Sequence, residues 1–159
     1  MIAIYPGSFD PTTFGHLDII KRASEITETL IVAVLDNVRK QSLFTVEERV
    51  SQLKEITQDI PNVRVESFKG LLVDFAKLHN AKLIIRGLRA LTDFEYEFQM
   101  ALTNRGLNPE LETIFIPTSL QYLYISSSVV KEVGAFSGQL DAMVPDLIRR
   151  AIELKLNLN

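Results

Sequence analysis

Residues 5–16, with the sequence YPGSFDPTTFGH, are the first part of the chain whose residue types favour chemistry. A short apolar strand precedes them and a helical pattern follows them. At such a turn, backbone N–H groups and the positive end of the helix dipole converge on one point, which favours an anion. His16 adds a side-chain donor there. We predict a phosphate-binding turn, and an ordinary Pro/Gly turn stays open as the alternative, since neither a Walker A loop nor a GxGxxG motif is present.

Two basic segments follow other predicted strands. Arg39 and Lys40 are adjacent after the second strand, and Arg86 and Arg89 flank Gly87 after the fourth. Paired arginines can clamp phosphate oxygens, and glycine lets the backbone approach a ligand closely. A solvated charged loop is the alternative for the first pair and an exposed turn for the second. The basic loops of an acidic chain favour an anion site.

A third segment, residues 125–131, places three serines before a helical pattern that contains Lys131. The serines predict an N-cap, and the same helix start is a second candidate anion site. Phe94, Phe98 and Leu102 form a helical stripe, which is typical of a core or a subunit interface. His79 is expected at an exposed helix end. Because the chain has only two histidines, no cysteines and no HxxxH spacing, no structural zinc site is predicted.

The elements that must position these residues alternate between strands and helices. Apolar runs predict strands over residues 2–5, 30–35, 63–68, 82–86 and 113–116, and helical patterns cover residues 15–28, 45–58, 71–80, 92–105, 126–133 and 145–156. Capping boxes start the helices at Thr45 and Thr92, and Gly106 is the expected stop of the fourth helix. The pattern predicts one α/β domain over residues 1–159: a doubly wound, Rossmann-like, five-stranded parallel sheet with a helical C-terminal segment.

Composition narrows the class of protein. Its 159 residues include 17 Lys and Arg against 20 Asp and Glu, for a formal net charge of −3, which argues against a polymeric nucleic acid as partner. Cysteine is absent, which excludes disulfides and thiolate chemistry. The start of the chain does not look like a signal peptide, and the longest apolar run, residues 30–35, is far too short to span a bilayer. A cytoplasmic protein without membrane association is expected.

These motifs, in this order, resemble the nucleotidyltransferase superfamily that is marked by a T/H-x-G-H turn and a late ISSS or ISST helix start. Within it, the chain is similar to the bacterial phosphopantetheine adenylyltransferase family in the segments YPGSFDP, TFGH, FTVEER, IRGLR and DFEYE and in residues 125–132. The TFGH turn alone indicates only the superfamily, whereas IRGLR and DFEYE are more specific. The resemblance extends over almost the whole chain.

The resemblance implies that the adenylyl group of ATP is transferred to 4′-phosphopantetheine, giving dephospho-coenzyme A and pyrophosphate. It implies catalytic roles for His16 and Lys40. ATP contacts are implied for Ser8, Phe9, His16, Gly87, Leu88, Arg89, Glu97, Tyr122, Leu123, Tyr124, Ile125, Ser126, Ser127 and Ser128. Phosphopantetheine contacts are implied for Ser8, Lys40, Leu72 and Arg86.

The resemblance also implies Mg²⁺, bound mainly through the ATP phosphates, a homohexamer and feedback inhibition by coenzyme A. Two positions depart from the family pattern. Ser8 stands where threonine is common, and the hydroxyl is kept. Ala135 stands where some members have arginine, which puts a phosphate or coenzyme A contact there in doubt.

Three other functions stay open at this point. A sister enzyme would adenylylate nicotinate mononucleotide, and the acceptor-side residues Arg86 and Lys40 argue against it. A catalytically silent nucleotide sensor would not need His16 together with Lys40. A flavodoxin-like electron carrier has the same fold class but would carry a Ser/Thr-rich phosphate loop after the first strand.

Overall fold

A computed structural model describes residues 1–37 and 41–156. The described strands all belong to a single sheet, with helices between them along the chain. The strands are β1 (Ile2–Gly7), β2 (Thr29–Leu35), β3 (Val63–Phe68), β4 (Leu83–Leu88) and β5 (Glu112–Pro117). The helices are α1 (Phe14–Glu25), α2 (Val46–Ile56), α3 (Leu72–Leu78), α4 (Leu91–Leu107), α5 (Ser127–Ala135) and α6 (Asp146–Lys155), with a short 3₁₀ helix at Leu120–Tyr122.

The sheet is parallel throughout, in the strand order β3-β2-β1-β4-β5. The order reverses between β1 and β4, because the chain first builds outward from β1 to β3 and then returns to the other side of β1. That position is the topological switch point at which ligands of open α/β sheets bind. The predicted doubly wound fold is confirmed, and β1 and β4 each run two residues further than predicted, which carries Gly7 and Leu88 into the sheet.

Both faces of the sheet are covered. One core lies under α1 and α2 and joins Ala3 and Tyr5 of β1 to Ile20 of α1 and Leu53 of α2. The opposite core joins Ile4 and Ile31 to residues of α3. Since successive strand residues point to opposite faces, the continuous apolar run of β2 is buried on both sides.

A third core belongs to the C-terminal helices. Val130 of α5 and Ile148 and Ile152 of α6 pack with Phe44, which precedes α2, and with Ile125. The predicted helical C-terminal segment is thus attached to the loops at the carboxyl edge of the sheet. Among residues 1–37 and 41–156, the helices are all too short or too polar to span a bilayer.

Two predicted boundaries of α4 are wrong. The helix begins at Leu91 after Ala90, whose backbone is extended, so Thr92 lies inside the helix and does not start it. Gly106 is also inside the helix, which ends at Leu107. Proline disfavours a helical conformation in the residue before it, and Asn108, which precedes Pro109, is extended. Pro109 therefore accounts for the end of α4 better than Gly106 does.

Candidate active site

A cleft of about 560 Å³ opens at the switch point, between the carboxyl ends of β1 and β4. Its walls come from the turn after β1, the end of β4, the first turns of α4 and the start of α5. The predicted site residues that line it are Ser8, Phe9, His16, Arg86, Gly87, Arg89, Glu97, Ile125, Ser126, Ser127 and Ser128. Segments that are up to 120 residues apart in sequence are thus brought together, as the switch-point rule predicts.

His16 occupies the third position of α1, where it completes a capping box with the N-cap residue Thr13. The Thr13 amide donates to Nδ1 of His16 at 3.0 Å, and the His16 amide donates to Oγ1 of Thr13 at 3.3 Å. The imidazole also packs edge-on against the buried ring of Phe9, with ring centroids 5.1 Å apart. These contacts fix the orientation of the ring at the helix N-terminus.

The same surroundings set the charge of His16. Burial, with a further contribution from the positive charges of Arg89 and Arg86, lowers the pKa of His16 from 6.5 to about 4. The imidazole is therefore neutral at pH 7. Because Nδ1 accepts the Thr13 amide, the ring proton is on Nε2, and the neutral ring offers one N–H donor.

Arg86 and Glu97 form a bidentate ion pair in the wall of the cleft. Nε of Arg86 donates to Oε2 of Glu97 at 2.6 Å, and Nη2 donates to Oε1 at 2.5 Å. Nη1 donates to the Pro6 carbonyl at 2.7 Å. Burial by itself would lower the pKa of Arg86, but the hydrogen bonds to Glu97 and its negative charge together outweigh burial and raise that pKa, so the guanidinium is charged. Nη1 and Nη2 of Arg86 each have one further N–H group that these three bonds do not use.

Arg89 connects the end of β4 to the segment before α5. Its Nη1 donates to the Ile125 carbonyl at 3.2 Å, and its Nε lies 3.5 Å from Oδ2 of Asp93 in the first turn of α4. Both side chains of the second pair are about two-fifths exposed, so water screens that ion pair. Arg89 therefore keeps a positive charge that faces the cleft.

The three serines before and in α5 have separate roles. Oγ of Ser126 accepts from the Val129 amide at 3.1 Å and caps the helix, as predicted. The Ser127 hydroxyl donates to the Pro11 carbonyl at 2.8 Å, which joins α5 to the turn after β1. Ser128 is exposed at the cleft. The helix start thus presents its first amides and the Ser128 hydroxyl to the cleft, and the Ser126 and Ser127 hydroxyls hold it in place.

Asp10 is a buried carboxylate that sequence analysis did not select. It accepts from the Leu43 and Phe44 amides at 2.9 Å each, and Nζ of Lys131 lies 3.3 Å from Oδ2. Lys131 also lines the cleft. Asp10 thus attaches the turn after β1 to the loop before α2 and to α5, and it offsets part of the Lys131 charge.

Arg49 was part of a quoted motif but was not predicted as a site residue. It is 3% exposed, lines the cleft, and donates to three backbone carbonyls: Ser8 at 2.7 Å, Leu35 at 3.2 Å and Thr45 at 3.3 Å. It joins the ends of β1 and β2 to the start of α2. The signal available in the sequence was an arginine on the apolar stripe of this helix, between Val46 and Leu53, because arginine is rarely buried without a role.

Several predicted residues lie away from the cleft walls. Leu72, at the start of α3, packs on the core next to the sheet, and Leu88 ends β4. Tyr122 ends the 3₁₀ helix and Leu123 and Tyr124 follow it, beside the cleft and outside its lining. Conversely, Tyr96 lines the cleft although the pattern alone left its role open. Lys40 lies outside the described residues, as does Arg39.

The fold and the cleft together define a nucleotidyltransferase-like protein, and comparison with known families agrees. A family model described as cytidylyltransferase-like matches residues 4–133. Phosphopantetheine adenylyltransferase from Caldanaerobacter subterraneus subsp. tengcongensis is 59% identical over 147 residues, which is 92% of this chain and 92% of the relative. The enzyme of that name from Desulfatibacillum aliphaticivorans is 53% identical over 97% of this chain and 88% of its own length.

At this level of identity over almost the full length, the chain belongs to the phosphopantetheine adenylyltransferase family of cytidylyltransferase-like proteins. A solved structure with a similar fold is Plasmodium falciparum nicotinic acid mononucleotide adenylyltransferase complexed with NaAD. It has a TM-score of 0.72 over 99% of this chain and 96% of its own, at 16% sequence identity. That likeness concerns the fold and does not favour nicotinate mononucleotide as the acceptor.

Proposed function

We propose that this protein transfers the adenylyl group of ATP to the phosphate of 4′-phosphopantetheine, giving dephospho-coenzyme A and pyrophosphate. The observation that carries the proposal is the neutral His16 at the N-terminus of α1, with Arg86, Arg89 and the start of α5 around the same cleft. ATP and the acceptor both carry negatively charged phosphate groups, and binding them side by side requires several hydrogen-bond donors and positive charges in one cleft. The names of the relatives at 53–59% identity support this choice of donor and acceptor.

The reaction needs no general base. The second pKa of a phosphate monoester is about 6, so the acceptor phosphate is mostly a dianion at neutral pH. One of its oxygens forms a bond to the α-phosphorus, the bond from that phosphorus to the α,β-bridging oxygen breaks, and pyrophosphate leaves with the electron pair. The protein must hold the two groups in line and stabilise the charge that develops.

The residues divide this task. Nε2–H of His16 donates to an α-phosphate oxygen in the transition state. Because the imidazole is neutral, it does not offset the negative charge of the attacking acceptor phosphate. Arg89, the amides of Ser127 and Ser128 and the Ser128 hydroxyl hold the β- and γ-phosphates. The remaining N–H groups of Arg86 bind the acceptor phosphate. Lys40 is assigned, from the resemblance alone, to bridge the acceptor and the α-phosphate.

Other assignments also come from the resemblance alone. The Ser8 hydroxyl contacts both substrates, and Phe9, Gly87 and Glu97 contact ATP. The segment from Tyr122 to Ile125 contacts ATP, as does Leu88, and Leu72 contacts phosphopantetheine. Coenzyme A, which contains the product, would inhibit by competing for the cleft, and Ala135 contributes no charge to that contact.

Mg²⁺ is expected to enter with the nucleotide. Within residues 1–37 and 41–156, no three acidic or imidazole side chains form a metal-binding group. The carboxylates at the cleft are engaged elsewhere: Asp10 with amides and Lys131, Asp93 with Arg89, and Glu97 with Arg86. The donors therefore fit an ion held by phosphate oxygens and water, which neutralises part of the triphosphate charge.

The exposed face of α4 would suit a subunit interface in the homohexamer that the resemblance implies. Phe94, Phe98 and Leu102 are 40%, 48% and 56% exposed, and the rings of Phe94 and Phe98 stack at 5.5 Å. An exposed apolar patch of this kind marks an interaction surface in soluble proteins.

We place the enzyme in the cytoplasm, where ATP is available.

The proposal is tested by pyrophosphate release from ATP and Mg²⁺ with three acceptor conditions: phosphopantetheine, nicotinate mononucleotide and no acceptor. Release with phosphopantetheine alone is expected. Release with the mononucleotide alone would overturn the acceptor assignment and keep the superfamily. Measurable ATP binding without release under any condition would show a nucleotide sensor and contradict the proposal.

A further inference from the structure

Asp18 lies on α1, two residues after His16, and its carboxylate faces the loop after β5. The Ser119 hydroxyl lies 2.9 Å from each carboxylate oxygen, and the Ser119 amide donates to Oδ2 at 3.2 Å. Nη1 of Arg22 donates to the same Oδ2 at 3.2 Å. The Asp18 side chain is 14% exposed, so these bonds are made in a largely desolvated place, where charge-assisted hydrogen bonds are strong.

Ser119 is the residue at which the chain leaves the sheet. The Thr118 amide still bonds to the Leu88 carbonyl, at 2.8 Å, as an extension of the β4–β5 ladder. After Ser119 the chain turns into the 3₁₀ helix Leu120–Tyr122. Arg22 adds a second bond at the same point, from Nη1 to the Pro117 carbonyl at 2.7 Å. The Asp18–Arg22 pair therefore determines where the loop begins.

A second contact holds the other end of this loop against α1. The rings of Phe14 and Tyr122 stack with centroids 6.1 Å apart. A Cβ atom on Gly15 would lie 3.8 Å from Cβ of Tyr122, so the first turn of α1 and the loop touch closely. From there the chain reaches Ile125, whose carbonyl accepts from Arg89 at 3.2 Å.

We propose that Asp18 is a positioning residue for the nucleotide: by holding Ser119 it places residues 118–125 and thereby sets the affinity for ATP. The inference rests on the proposed function, in which this loop contacts ATP. Because α1 also carries His16, the helix fixes the distance between the donor to the α-phosphate and the loop that holds the rest of the nucleotide. Arg86, at the acceptor end of the cleft, bonds to Glu97 and to the Pro6 carbonyl, so we expect acceptor affinity to be independent of the Asp18–Ser119 contact.

The test is a double-mutant cycle with Asp18→Ala, Ser119→Ala and the double variant. The readouts are the KM values for ATP and phosphopantetheine, and the Kd of a non-hydrolysable ATP analogue from titration calorimetry. We expect Asp18→Ala to raise the KM and Kd of the nucleotide about tenfold, with the acceptor KM unchanged. Ser119→Ala should give a smaller rise, and the double variant should be no worse than Asp18→Ala, since both remove one interaction.

Two further variants separate positioning from general damage. Asp18→Asn keeps an oxygen that accepts from the Ser119 hydroxyl and should restore most of the affinity. Glu25→Ala removes an exposed acidic group from the same helix and should match the wild type. If Asp18→Ala does not fold, Ser119→Ala and Asp18→Asn decide the question.

Three outcomes would overturn the inference. The effects of Asp18→Ala and Ser119→Ala could add in the double variant, Asp18→Ala could raise both KM values equally, or it could leave the nucleotide affinity unchanged. Failure of the proposed function looks different. In that case the wild type releases no pyrophosphate with phosphopantetheine, while calorimetry still reports nucleotide binding and the cycle can still be completed on Kd alone.

Discussion

At the scale of single residues, the account depends most on His16. Its ring is oriented by Thr13 and Phe9, and its Nε2–H is the donor assigned to the α-phosphate. His16→Ala should lower kcat by a few orders of magnitude, about 3–4 kcal/mol in the barrier, because one preorganised transition-state donor is lost. ATP affinity should change little. Steady-state kinetics with a parallel thermal melt checks this, and a rate like that of the wild type would remove His16 from the mechanism.

The charge state of His16 can be measured directly, because the chain has two histidines. In a His79→Gln variant the remaining imidazole should titrate near pH 4 by NMR, since burial and the nearby arginines lower its pKa. The folded chain then binds this proton less readily than the unfolded chain. Stability should fall as the pH drops from about 6.5 towards 4, by on the order of 3 kcal/mol for this group. A midpoint near 6.5 would show that the pKa of His16 is not lowered and would contradict this account of its surroundings.

Sequence patterns predicted His16, Arg86, Arg89 and the serines because these residues follow strands or start helices. Local patterns contain no such signal for Asp10, whose partners are amides more than 30 residues away. The pairing of Arg86 with Glu97 was missed for the same reason. Each side chain was assigned to a different substrate, and only the fold shows that they bind one another.

At the scale of elements, two serines at the start of α5 have different roles: Ser126 stabilises the helix and Ser128 is proposed to bind the nucleotide. Ser126→Ala removes the N-cap bond to the Val129 amide and should cost about 1 kcal/mol of the free energy of unfolding. Ser128→Ala removes an exposed hydroxyl at the cleft and should leave stability unchanged while raising the KM for ATP. Chemical denaturation and kinetics on both variants test this. A loss of stability in Ser128→Ala, or none in Ser126→Ala, would reverse the two roles.

The helix boundaries show which local signals are reliable. The capping box at Thr45 is confirmed, with Oγ1 of Thr45 accepting from the Glu48 amide at 3.2 Å. The box predicted at Thr92 is wrong, because the helix already begins at Leu91 after an extended Ala90. A glycine inside a helix costs only about 1 kcal/mol, so Gly106 did not stop α4.

At the scale of the whole molecule, alternating strands and helices were sufficient to predict a parallel, doubly wound sheet. The strand order was not predicted, because pairing between distant strands depends on packing across both faces. The order matters for function, since the reversal between β1 and β4 places His16 beside Arg86 and Arg89.

Assembly is the second property at this scale. Phe98→Arg places a charge in the exposed apolar face of α4 and should shift a hexamer to smaller species in sedimentation velocity, because a buried unpaired charge is costly. Leu154→Arg, at a highly exposed position on α6, is the matched control and should leave the assembly unchanged. An unchanged sedimentation profile for Phe98→Arg would show that this face is not the interface.

The central claim is a direct transfer of the adenylyl group from ATP to the acceptor phosphate. It is tested most directly by the exchange of labelled pyrophosphate into ATP, with and without phosphopantetheine. The account predicts exchange only when phosphopantetheine is present, because the reverse reaction needs dephospho-coenzyme A. Exchange without an acceptor would show an adenylyl-enzyme and contradict direct transfer, and no exchange in either case would contradict the function itself.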